Sequence, residues 1–168
     1  PSLVSMAKES GAMVKCIELC AEDNWQIDFQ HLECVVNEKT KMIVINSPHN
    51  PTGSIVDSKT AHKILALAQK YQCYLLADDV SQASNYQQLP LAHNYLSYKK
   101  SIVVSVMSKS FGLAGLRLGW VITQNELLLQ KLLVIKSYGS ICCSVIDEQL
   151  SLWALNHSDT IINRNNAI

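Results

Sequence analysis

Three continuous apolar runs constrain the fold more than any other feature of the sequence: KMIVINS at 41–47, CYLLADDV at 73–80 and SIVVSVM at 101–107. Each has strand length, and each runs out into polar residues. Unbroken apolar runs of this size suit strands covered on both faces, the usual condition of a parallel sheet. Between the first two lies KTAHKILALAQKYQ, where Ile64, Leu65, Leu67 and Ala68 form one helical face and Ser58 is placed to cap the start. Strands alternating with helices predict an α/β fold, with a mainly parallel sheet flanked by helices.

The remaining elements are weaker in pattern. MVKCIELC at 13–20 alternates and predicts a further strand, and DFQHLECVV at 28–36 suits a short helix opened by Asp28. SPHNPTGS at 47–54 holds two prolines and a glycine, so neither a strand nor a helix interior continues through it. A loop rich in Gln and Asn, SQASNYQQLPLAHN, precedes the third run. After it come a short strand, GWVIT, and two helices, one over 126–138 and one over about 144–156. The leucine-rich first helix and the tryptophans read as core or interface.

Charge narrows the partners. Fourteen basic and fourteen acidic side chains cancel, so the chain lacks the electrostatic footprint of a nucleic-acid or anionic-membrane binder. Its apolar runs are too short to cross a bilayer. Six cysteines, at 16, 20, 34, 73, 142 and 143, form no C-x-x-C pair and several sit in apolar runs, which predicts buried, reduced thiols and a cytoplasmic setting. The expected partner is a small molecule or another protein. The chain opens on PSLVSMAKES and closes on INRNNAI in mid-pattern, as a portion of something longer would.

In open α/β sheets, ligands bind beyond the carboxyl ends of the strands. Residues just past strands that end near Asn46, Ala77 and Met107 should therefore share one rim, and those residues are Asn50, Asp78 and Lys109, with Arg117 eight positions beyond the lysine. Taken singly, each has a plain reading: a turn asparagine, a solvated strand end or half of a metal site, a surface lysine, a structural arginine. No His or Cys lies at ligand spacing from Asp78 and Asp79, so no metal is assigned. Together the four match the functional groups of pyridoxal 5'-phosphate. Lys109 could form a Schiff base with the aldehyde, Asp78 could pair with the ring nitrogen, Asn50 could donate to the ring oxygen, and Arg117 could clamp the phosphate.

NSPHNPTG, LLADDVS and SKSFGLAGLRLGW, in that order, resemble the motifs of the class I/II aminotransferases, fold-type I pyridoxal phosphate enzymes. GAMVKCIEL, NWQIDFQHLE and the closing RNNAI fit the same pattern, so the resemblance runs through nearly the whole chain. It implies transfer of an amino group between an amino acid and a 2-oxo acid, with Lys109 catalytic and Asn50, Asp78, Ser81, Ser108, Lys109 and Arg117 on the cofactor. It further implies that residues 1–168 are part of a cofactor-binding large domain, with the last helix leading toward a small domain, and that the working unit is a homodimer.

Two positions depart from the family pattern. Ser81 stands where a tyrosine usually donates to the cofactor's ring oxygen, and it is too short to reach directly, so either water bridges or Asn50 acts alone. Val106 stands where many members carry a phosphate-binding serine, while Ser105, one residue away in a strand, points to the opposite face. Loss of one hydroxyl contact to a charged phosphate costs roughly 1.5–3 kcal/mol, which Ser108 or backbone amides could partly restore. Relatives are longer, and their additional parts carry a phosphate loop, an aromatic ring stacked on the cofactor and an arginine for the substrate carboxylate. Two other readings stay open: an inactive scaffold or interaction module, and a pyridoxal phosphate lyase or decarboxylase on the same site.

Overall fold

The computed structural model describes residues 2–84 and 95–167. Most of the Gln- and Asn-rich loop expected at 81–94, with His93, lies outside the described residues. Three strands follow the three apolar runs: β1 (Met42–Asn46), β2 (Tyr74–Asp78) and β3 (Ser101–Val106). β1 and β2 pair in parallel from Met42 opposite Tyr74 to Asn46 opposite Asp78. β2 and β3 do the same from Leu75 opposite Ser101 to Asp78 opposite Val104. β4 (Gly119–Ile122) returns antiparallel on β3 and completes a sheet of order β1-β2-β3-β4. The predicted α/β class and mainly parallel sheet are what the chain adopts.

Helices precede and follow these strands: α1 (Ser2–Glu9), α2 (Phe29–Val35), α3 (Ser58–Lys70), α4 (Glu126–Gly139), α5 (Val145–Asn156) and α6 (Ser158–Asn166). Asp28 caps α2 as expected, its carboxylate accepting from the His31 amide at 3.0 Å. The cap of α3 is Asp57, not Ser58. Its Oδ1 accepts from Thr60 N at 3.0 Å and its Oδ2 from the Thr60 hydroxyl at 2.6 Å. A carboxylate at this position satisfies two donors where a serine satisfies one, and it complements the helix dipole. Those Thr60 bonds hold the Asp57 carboxyl below its usual pKa.

Ala61, Ile64, Leu67 and Ala68 of α3 are buried against Ile43 and Ile45 of β1 and Leu75 and Ala77 of β2, with Leu32 and Val36 closing one end. Alternation along β1 and β2 turns exactly one set of side chains toward this core. The other set is open: Met42 and Val44 are exposed, Val44 at 47%. β1 is therefore not covered on both faces as its sequence predicts. Among the described residues, α2 and α3 pack on one side of it only.

Other expectations are revised. Residues 12–20 form no strand; the segment has no ladder partner among the described residues. All six cysteines are free, but only Cys73 is buried, since Cys16, Cys20, Cys34 and Cys142 lie on connecting segments and outward helix faces. α4 forms where predicted yet has no buried residue, so it is not core here; Ile135 is 67% and Tyr138 88% exposed.

A second, smaller core gathers Met107, Phe111 and Ala154 with Leu113, Leu118, Trp120, Ile161 and Ile162. Phe111 meets Trp120 edge to face, ring centroids 6.4 Å apart. Ile161 and Ile162 bring α6 onto this core.

Candidate functional site

The carboxyl ends of β1, β2 and β3 lie side by side, about 5 Å from strand to neighbouring strand, as the pairing of Asn46, Asp78 and Val104 requires. Three segments leave from these ends, one after each parallel strand.

The first is the 47–54 loop. Three of its contacts are internal: His49 N donates to Ser54 O at 2.8 Å, Gly53 N donates to His49 O at 2.7 Å, and His49 Nδ1 lies 2.8 Å from the Thr52 hydroxyl, while Ser47 N donates outward to Asp78 O at 3.3 Å. Gly53 takes φ +73°, a conformation that glycine adopts without a Cβ clash. Asn50 is exposed at the loop's tip, and its backbone N–H donates to Asn46 Oδ1 at 2.7 Å. Asn46 also donates through Nδ2 to the Asp78 carbonyl at 3.3 Å, so one side chain fastens the Asn50 loop to the end of β2. Sequence reasoning missed this role, because an asparagine ending a strand carries no signal beyond its type.

Asp78 and Asp79 separate by face. Asp79 is buried on the side of Leu75 and Ala77, whereas Asp78 is half-buried on the opposite side. Asp78 Oδ1 accepts from Val80 N at 3.2 Å, which leaves the rest of the carboxylate for a ligand. Asp79 faces the core and raises the pKa of the buried Tyr95 hydroxyl, already pushed up by desolvation. Ser81 follows in a turn and is half-buried; its carbonyl accepts from Ser84 N at 3.0 Å.

Lys109 sits three residues past β3, exposed, in a loop whose ends are tied to each other. Met107 N donates to Leu118 O, and Leu113 N donates to Met107 O, both at 3.0 Å. Gly112 N donates to Lys109 O at 2.8 Å. Ser108 is half-buried beside a fully buried Met107 and an adjoining buried pair, Ser110 and Phe111. The lysine is thus exposed between a half-buried Ser108 and a buried Ser110, in a loop tied at both ends. Arg117 adopts φ +49° and donates from one guanidinium nitrogen to Ala114 O at 3.0 Å, leaving its other donors for an anion.

Ser105 and Val106 lie on opposite faces of β3, opposite Trp120 and Gly119, so Ser105 does not substitute for a serine at 106. The donor set suits pyridoxal phosphate: an amine for an aldehyde, a carboxylate for a pyridine nitrogen, an amide for a ring oxygen, and a guanidinium with hydroxyls for a phosphate. Among the described residues, no three His, Cys, Asp or Glu side chains are grouped to hold a metal ion. Among the same residues, no helix is long and apolar enough to cross a membrane.

A family model described as aminotransferase class I and II matches residues 1–165. The chain is 30% identical over 161 residues to capreomycidine synthase of Streptomyces vinaceus, covering 96% of this chain and 41% of that protein. It is 34% identical over 126 residues to bovine tyrosine aminotransferase, covering 73% of this chain and 28% of that protein. Among solved structures, a PLP-dependent aminotransferase from Streptococcus suis superposes with a TM-score of 0.85 at 30% identity, over 95% of this chain and 42% of that one. The chain therefore spans well under half the length of these relatives.

Proposed function

Because the chain belongs to the class I and II aminotransferase family, we propose that it carries the lysine side of a pyridoxal phosphate site used for amino transfer between an amino acid and a 2-oxo acid. The observation that supports this most is the placement of Asn50, Asp78, Lys109 and Arg117 beyond the adjacent ends of one sheet. In this reading residues 1–168 form part of a cofactor-binding large domain, and α6 leads toward a small domain.

Each residue has a role its chemistry permits. When bound, the cofactor supplies an electron sink for the bond broken at the substrate's α-carbon. Lys109 Nζ holds the cofactor covalently and, when free, takes the proton from that carbon and returns it. Asp78 keeps a positive charge on the ring nitrogen by ion pairing. Asn50 donates to the ring oxygen directly, and Ser81, too short to reach it, contributes only through a bridging water. Arg117 and Ser108 bind the phosphate.

The match to capreomycidine synthase favours a second reading, in which the same residues serve a reaction other than amino transfer. A homodimer belongs to the main proposal; the exposed apolar faces of α4 and α5 support association, and the mass in solution checks it. A cytoplasmic setting suits six free thiols, most of them accessible to oxidants.

The test is to add pyridoxal phosphate, record the absorbance spectrum, reduce with borohydride and locate the label by peptide mass. The expected result is a visible band and a single labelled residue, Lys109, with both lost in Lys109→Ala. Scattered labelling of surface lysines, or none, would remove cofactor binding from this chain.

A further inference from the structure

Two adjacent asparagines on α6 reach two different loops of the site. Asn165 Nδ2 donates to the Ser110 carbonyl at 3.0 Å, one residue from Lys109. Asn166 Nδ2 donates to the Ala83 carbonyl at 3.0 Å, in the segment that follows Asp78. The two loops also touch directly, Ser84 Oγ donating to Ser110 Oγ at 3.3 Å.

The helix that carries these amides is itself fixed. Ile161 and Ile162 pack into the second core, and residues 165 and 166 lie one turn further along the same faces. Gly112 completes the fit: it adopts φ +67°, and a Cβ there would stand 3.0 Å from Asn165 Nδ2. Any larger residue would push on the amide that holds the lysine loop. The buried Ser110, held through both its carbonyl and its hydroxyl, is the point where all three segments meet.

We propose that Asn165 and Asn166 are positioning residues, a two-point latch through which α6 sets the placement of Lys109 relative to Asp78. The inference rests on the cofactor reading above, but its first measurement needs no cofactor. Asn165→Asp and Asn166→Asp keep the side-chain shape and remove the donor. In hydrogen exchange on the whole chain, Asn165→Asp speeds the amides of Gly112 and Leu113 by about three- to tenfold, the size of one lost neutral hydrogen bond. Asn166→Asp does the same to Gln82 and Ser84. Amides of β1 to β3 keep their unaltered rates, which shows the variants folded; Asn165→Ala and Asn166→Ala give the same reading should the charged variants unfold.

With pyridoxal phosphate added, labelling of Lys109 slows by about tenfold in both variants, as a displaced nucleophile requires. The pH midpoint of the adduct's visible band also shifts, which a loss of stability alone would not produce. Unchanged loop exchange in both variants would overturn the latch. So would normal labelling with an unshifted midpoint. If the unaltered chain takes no label on Lys109 while the loops respond as expected, the latch stands and the cofactor reading falls.

Discussion

The two cores of this chain are built to different standards. The first, around α3, buries Ile64 and Leu75 completely and draws on β1, β2, α2 and α3. The second has three buried members, Met107, Phe111 and Ala154, and the helices near it keep large apolar surfaces in the open. α4 is the extreme case, apolar on every side and nowhere buried. Asn50 and Asp78 leave from the first core, Lys109 and Arg117 from the second. The proposed site therefore draws two residues from each half, and the Asn166 amide, carried by the helix on the second core, reaches the Ala83 carbonyl in the segment that follows Asp78.

That comparison can be broken most sharply with paired truncations. Ile64→Ala should cost about 2–5 kcal/mol, from lost transfer energy and the cavity left behind. Leu133→Ala on α4, 56% exposed, should stay within about 0.5 kcal/mol. Urea unfolding of both variants reads the difference; equal costs would show that the two halves are equally packed. Gly119→Ala comes next. Its Cβ would meet Val106 Cγ1 at 2.8 Å and the Ser105 carbonyl at 2.9 Å, so the β3–β4 pairing must shift, at about 1–3 kcal/mol. Circular dichroism on heating measures the cost, and a neutral result would mean that the second half yields readily.

The smallest effect sharpens the comparison from the rigid side. Asp57→Ala, which removes the α3 cap, should cost about 1 kcal/mol near neutral pH. Because folding lowers the Asp57 pKa, its contribution is full above the ordinary carboxylate range and fades as pH falls through the folded value. Thermal unfolding at about pH 7 and at about pH 2 should therefore show the gap between variant and parent closing in acid. A gap that persists unchanged would assign the cap to sterics rather than charge.

Much of this was legible in the sequence. The three apolar runs became the three parallel strands, and Asp28 and the 126–138 and 144–156 patterns became the caps and helices they suggested. The strand expected at 13–20 did not form, because alternation makes a strand only where a partner supplies the ladder. The burial of β1 on both faces failed for a related reason. An apolar run records what a strand tolerates, and only packing decides what covers it.

By itself the sequence determined the element types, their order, and the residue types at the rim, since these follow from local periodicity and from where each apolar run ends. Tertiary structure alone decided which face of the sheet is open, that Asp78 and not Asp79 turns away from the core, and how the loops are fastened. The bonds that fasten them join residues 32, 55 and 83 positions apart, from Asn46, Asn165 and Asn166. Such pairs leave no mark in any short window of sequence, because each amide finds its carbonyl only after the cores have packed.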